Sequence, residues 1–70
     1  MSPDSSRHPV HRARERKGWR LEDLARAIGR SASMLSNVEH GFVPKPETRE
    51  KIANALDTTV DALWPDEAGQ

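Results

Sequence analysis

Four small side chains, Ala32, Ser33, Ser36 and Asn37, lie at helical spacing near the middle of this 70-residue chain. None is charged, and a face this weakly polar does not predict catalysis. Hydroxyl and amide groups can instead donate and accept hydrogen bonds at close range. That chemistry suits the edges of DNA bases in the major groove, where small side chains allow a close approach.

Two other groups of residues could do chemistry, and we reject both. The adjacent acids Glu22 and Asp23 diverge by ~100° on a helix and cannot converge on one substrate. The three histidines, His8, His11 and His40, stand in a chain without cysteine, and only the first two have helical spacing. They are therefore expected to be ordinary surface histidines rather than metal ligands. We predict a protein that is not an enzyme and holds neither metal nor cofactor.

Two short helices joined by a tight turn are predicted to position the four small residues. Gly29 suits a helix end in left-handed backbone conformation. Ser31 can cap the second helix with its hydroxyl. The first helix has a buried face at i, i+3, i+4 and i+7 spacing, and the second has an apolar stripe. These two faces consist of Leu21, Leu24, Ala25 and Ile28, and of Leu35, Val38 and Met34.

A wider pattern resembles the phage-repressor/Cro-type helix-turn-helix domain, the XRE family. The matching residues are Leu24-Ala25, Gly29, Ser31, Leu35-Ser36, Val38-Glu39, Gly41, Pro44 and Ile52-Ala53-Ala55-Leu56. The resemblance covers roughly residues 10–64. It implies an all-α fold, a compact lambda-repressor-like bundle of about five short helices. Helix 32–39 would then be the recognition helix.

The resemblance also implies roles for particular residues. Base contacts would come from Ala32, Ser33, Ser36 and Asn37, and phosphate contacts from Arg20, Arg30, Ser31, His40 and Lys45. Because none of the four base-contacting residues is Arg or Gln, strong guanine recognition is not expected. A solvated helix face without a DNA role is the alternative. Arg14 and Glu39 would form a partly buried structural ion pair, and two solvated charges are the alternative there.

Some residues depart from the family pattern. In the family, Ser or Thr often caps the second helix, and the Gln that follows contacts a phosphate. This chain has Arg20 and Leu21 at these positions. The cap and the Gln contact are therefore expected to be lost, and Arg20 could contact the phosphate only through its charge. Asp57 stands where glycine often ends the fourth helix, a conformation that Asp tolerates less well. Trp19 is expected to pack on the core rather than stack on a base.

Other expectations concern the loop and the two ends. Phe42 or Val43 should fold back onto the core. Trp64 either closes the core or forms a dimer contact, and the sequence does not decide between them. We expect a disordered N-terminal tail over 1–8, a helix-turn-helix domain over 9–64 and a frayed acidic tail over 65–70.

Charge is unevenly distributed although the formal net charge is zero. Residues 1–45 carry nine Lys or Arg and five acids, a balance of +4, and residues 46–70 carry two and six, a balance of −4. One positive face could meet phosphates. No apolar run approaches the ~20 residues that span a membrane. We expect a soluble cytoplasmic protein with no membrane partner.

Together these patterns predict a sequence-specific double-stranded DNA-binding transcriptional regulator, with a repressor favoured. One small domain offers few base contacts, so a homodimer on a palindromic site is expected. The alternative is a protein-interaction module of the same fold. It would be an antitoxin or a bridge to the transcription machinery, and the acidic C-terminal half would be its binding surface.

Overall fold

Five helices and no strand make up the part of the chain, residues 8–65, that the computed structural model describes. They are α1 (Pro9–Arg16), α2 (Leu21–Ile28), α3 (Ala32–Glu39), α4 (Pro46–Ala55) and α5 (Val60–Leu63). The predicted all-α class is confirmed, as are the helices expected at 21–28 and 32–39. The disorder predicted for the N-terminal tail and the fraying predicted for the C-terminal tail concern residues that, apart from His8 and Pro65, lie outside the described range.

The turn between α2 and α3 follows from local sequence. Gly29 has a φ of +71°, the left-handed conformation that glycine adopts without strain. The next amide, Arg30 N–H, donates to the carbonyl of Ala25 at 3.0 Å and closes the end of α2. The Ser31 hydroxyl then accepts from the backbone N–H of Met34 at 3.2 Å, which caps α3 as predicted. The orientation of α3 relative to α2 is therefore fixed at both sides of the turn.

The starts of α1 and α2 use caps that the sequence did not predict. His8, which we had assigned to the disordered tail, accepts the Val10 N–H on its Nδ1 at 3.0 Å and caps α1. At α2 the Arg20 side chain makes no capping bond. Instead the carboxylate of Asp23 accepts from the Arg20 backbone N–H at 2.8 Å. The cap expected to be lost at Arg20 is thus partly replaced from the third position of the helix.

The core lies between α2 and the helices packed around it. Helix α2 contacts α3 and α4, α1 contacts α3 and α5, and α5 contacts α4. The buried apolar residues of this core are Val10, Leu24, Ala25, Ile28, Leu35, Val38, Ile52, Ala53, Leu56, Leu63 and Trp64. Trp64 retains only 4% of its exposed area, so it closes the core within one chain. Trp19 packs against the same core from its edge, as expected.

The chain reverses after α4 through a strained residue. Asp57 has a φ of +57°, the left-handed conformation that disfavours a side chain with a β-carbon. Its carboxylate accepts from Lys17 Nζ at 2.6 Å, a contact between this turn and the end of α1. Thr59 then caps α5 by accepting from the Ala62 N–H at 3.2 Å. A glycine at residue 57 would relieve the strain but would lose the contact with Lys17.

Candidate nucleic-acid interface

Helix α3 presents two different faces. Leu35 and Val38 are fully buried against α2 and the core. On the other side Ser33 and Asn37 are exposed, while Ala32 and Ser36 are half-buried at its edge. The four residues proposed from the sequence to contact bases therefore share one outward surface, which is uncharged and built of short side chains.

An ion pair holds the last residue of α3. Arg14 on α1 donates from Nε to Glu39 Oε2 at 2.7 Å and from Nη2 to Oε1 at 3.2 Å. Both side chains keep only about a tenth of their exposed area. The Nη1 of the same guanidinium donates to the backbone carbonyl of Trp19 at 2.9 Å. One arginine thus joins α1, the segment leading to α2 and the end of α3, in a bidentate arrangement that fixes orientation.

His11 takes part in this pair, so its interpretation as an ordinary surface histidine was wrong. Its Nδ1 lies 3.0 Å from Glu39 Oε1 and 2.9 Å from Arg14 Nη2. Its Nε2 lies 3.3 Å from Glu15 Oε1. When Nδ1 carries a proton it donates to Glu39, and when it does not it accepts from Arg14. His11 precedes Arg14 by three residues on one helix face, the spacing that could have revealed it from the sequence.

The electrostatics of the pair favour the charged carboxylate. Burial alone would raise the pKa of Glu39, but hydrogen bonds from Arg14 and His11, together with the charges of these two residues, hold its pKa below the ordinary value. His8 behaves differently, because burial lowers its pKa more than the charge of Glu39 raises it. The neutral His8 ring is also the form that can accept the Val10 N–H.

The residues proposed to contact phosphates are all exposed and lie at or next to helix ends. Arg20 precedes α2, Arg30 and Ser31 form the turn, His40 ends α3, and Lys45 precedes α4. Lys45 makes no side-chain cap, so its ammonium group is not used to hold α4. The ring of His40 is oriented by its Nδ1, which donates to the Ser36 carbonyl at 2.6 Å and leaves Nε2 available to a ligand.

The loop after α3 differs from expectation. Phe42 and Val43 remain 54% and 41% exposed, so the prediction that one of them folds back onto the core was wrong. Pro44 occupies the buried position instead. The loop is held at both ends, because Phe42 N–H donates to the Asn37 carbonyl at 2.9 Å and Arg49 Nε donates to the Pro44 carbonyl at 3.1 Å. These two contacts fix the backbone on either side of the exposed residues Phe42 and Val43.

Neither of two other kinds of site occurs within residues 8–65. No three His, Cys, Asp or Glu residues in this range are grouped as a metal site would require. None of the described helices is long and apolar enough to cross a membrane.

The fold and this surface define a helix-turn-helix protein, in which a short outward-facing helix follows a tight turn. The sequence profile of the family described as "Helix-turn-helix domain" matches residues 9–64, and the chain belongs to that family. The match supports the expected resemblance to XRE-type DNA-binding domains. It indicates a DNA-binding regulator in a family that is typically non-enzymatic. Searches of curated proteins and of solved structures gave no significant match.

Proposed function

We propose that this protein is a sequence-specific double-stranded DNA-binding repressor that acts in the cytoplasm. Helix α3 enters the major groove and reads base edges with Ala32, Ser33, Ser36 and Asn37. The protein performs no chemistry on the DNA and regulates transcription by occupying its site. The observation that carries this proposal is the outward, uncharged face of α3, which is capped at Ser31 and tied to α1 at Glu39.

Asn37 is the residue of this face best suited to discrimination between bases. Its carboxamide is exposed, and an amide can donate to N7 and accept from the amino group of adenine simultaneously. The serine hydroxyls can meet either a donor or an acceptor and therefore discriminate less. We propose that Asn37 reads adenine and that the serines add shorter-range contacts.

Phosphate contacts would hold the helix in the groove. The exposed cations Arg20, Arg30 and Lys45 and the ring of His40 lie at helix ends around α3, and Ser31 lies in the turn. Such contacts set orientation and affinity without reading sequence. A single domain makes few base contacts, so we propose that two copies bind a palindromic site with half-sites about one helical turn apart. Trp64 is buried in its own core and would not supply the dimer contact.

Selection from a random duplex library tests the proposal. We expect an enriched motif with two-fold symmetry, and binding that weakens steeply between ~50 and ~200 mM salt. Asn37→Ala should weaken binding to the selected site by about 1–3 kcal/mol. The affinity difference between this site and other sequences should therefore become smaller. Lys45→Ala should weaken all sequences alike and lower the salt slope by about one.

Matched controls come from α4. Asn54→Ala and Lys51→Ala make the same chemical changes at exposed residues of that helix, and should leave both preference and salt slope unchanged. A protein that enriches no sequence and shows no salt-dependent binding to any duplex would contradict the proposal.

A further inference from the structure

The loop after α3 carries an aromatic side chain that does not belong to the hydrophobic core. Phe42 is 54% exposed and adds little to the core. Its position is nevertheless defined, because its backbone N–H is bonded to the Asn37 carbonyl and the following Pro44 is buried and held by Arg49. Removal of this ring from water by a ligand would therefore be favourable.

The surroundings of Phe42 indicate the charge of that ligand. The ring borders a shallow hollow of about 230 Å³, below the size of typical small-molecule sites. The hollow is lined by Arg30, Met34, Phe42, Pro44, Lys45 and Thr48. Its apolar part is flanked by two cations and no anion. A two-fold contact with a second copy would bring these cations together, which is unfavourable. A polyanion such as DNA complements them.

Phe42 also follows directly on the proposed reading helix, and Met34 of that helix lines the hollow. The backbone N–H of Phe42 donates to the backbone carbonyl of Asn37 at 2.9 Å, which places Phe42 next to the end of α3 that carries the residue proposed to read adenine. The apolar group that DNA displays in the major groove is the C5-methyl of thymine, which pairs with adenine. An exposed aromatic residue adjacent to an adenine-reading residue is thus suited to contact that methyl group.

We propose that Phe42 is a further specificity-determining residue, which contacts a thymine C5-methyl group next to the base that Asn37 reads. This inference rests on the proposed DNA-binding function. Its chemistry is a packing contact that excludes water, so it adds preference for thymine over any base without the methyl group.

Uracil substitution isolates this contact. The probe is the tightest duplex from the library selection, with each thymine replaced by uracil one position at a time. For the wild-type protein we expect one position at which the lost methyl group weakens binding about fourfold, the value for one buried methyl or methylene group. Phe42→Ala should bind the thymine duplex more weakly by at least that factor. It should discriminate less than twofold at that position, while the effects at other thymines persist.

Two variants serve as controls. Val43→Ala shortens the neighbouring exposed apolar residue, which does not line the hollow, and should keep the fourfold preference. Phe42→Leu retains an apolar side chain and should keep part of the preference for thymine over uracil. Because Phe42 is largely exposed, both Phe42 variants should unfold within a few degrees of wild type by circular dichroism, and Leu serves if Ala does not fold.

Three results would overturn the inference while the proposed function stands. Phe42→Ala could keep every thymine effect, or it could weaken thymine and uracil duplexes equally, which would indicate a sugar contact. It could also abolish self-association in sedimentation without changing thymine preference, which would assign the ring to a second copy. If the wild-type protein enriches no sequence, the proposed function fails first and this inference fails with it.

Discussion

Replacement of Glu39 by glutamine tests the tie between α1 and α3 with almost no change in size. The amide can still accept one hydrogen bond from Arg14, but the guanidinium loses its counter-charge. Hydrogen bonds to charged groups contribute about 1.5–3 kcal/mol, and removal of one partner from a buried pair costs about 3–5 kcal/mol. Because both side chains keep about a tenth of their exposure, we expect a loss near 2–3 kcal/mol. For a domain of this size that corresponds to a decrease in Tm of roughly 10–20 °C.

The pH dependence distinguishes a lost charge from a packing defect. The pKa of Glu39 is lowered in the folded protein, so its contribution is fully present above the ordinary glutamate pKa. That contribution is lost as the pH falls through the folded value. The free energies of unfolding of wild type and Glu39→Gln should therefore differ most near pH 7 and converge in acid. Thermal and urea unfolding by circular dichroism, from pH 7 to about pH 3, measure this difference.

Glu15→Gln is the matched control. It removes the charge of a carboxylate that also faces His11, but the Glu15 side chain is 51% exposed. Surface pairs of this kind contribute less than about 1 kcal/mol, so its Tm should fall by only a few degrees. The reasoning would be refuted if Glu39→Gln had the same Tm as wild type. It would also be refuted if the difference in free energy of unfolding between the two proteins were the same at pH 3 and pH 7.

Substitutions at two further residues test the caps and turns. At pH 8, His8→Ala should lose about 1 kcal/mol as the α1 cap disappears, whereas His8→Asn should retain it. Since the pKa of His8 is lowered on folding, its stabilisation is present above the ordinary histidine value and lost as the pH falls through the folded one. The free energy of unfolding of His8→Asn should therefore exceed that of wild type at pH 5 but not at pH 8. If both proteins lose the same stability between pH 8 and pH 5, the His8 ring is not the cap. Asp57→Gly should stabilise by about 1 kcal/mol, because relief of the positive φ exceeds the exposed contact with Lys17. Asp57→Ala loses that contact and keeps the strain, so its urea midpoint should fall; a rise would show that strain is not the cause.

The helices could be predicted because their signals are local. Gly29 and Ser31 define a turn by backbone conformation and hydroxyl geometry, and the structure has both as predicted. The loop at Phe42 could not be predicted in this way. Its course depends on Arg49 bonding the Pro44 carbonyl and on Pro44 taking the buried place, and neither has a sequence signature.

The candidate site was predictable to a similar degree. The outward direction of Ser33 and Asn37 follows from helical periodicity once Leu35 and Val38 are assigned to the core. The role of His11 was missed: its spacing from Arg14 is visible in the sequence, but its second partner, Glu39, lies 28 residues further along the chain. Long-range side-chain networks of this kind depend on how helices pack, which a pattern of residue types does not specify.

The separation of the two faces of α3 has a practical consequence for protein engineering. Helix α3 is stabilised by the Ser31 cap, by burial of Leu35 and Val38, and by the ion pair between Glu39 and Arg14. None of these involves the exposed side chains of Ser33 and Asn37. A combinatorial library at those two positions should therefore yield mostly folded members. Such a library would vary the proposed DNA-reading face and could be selected against new operator sequences.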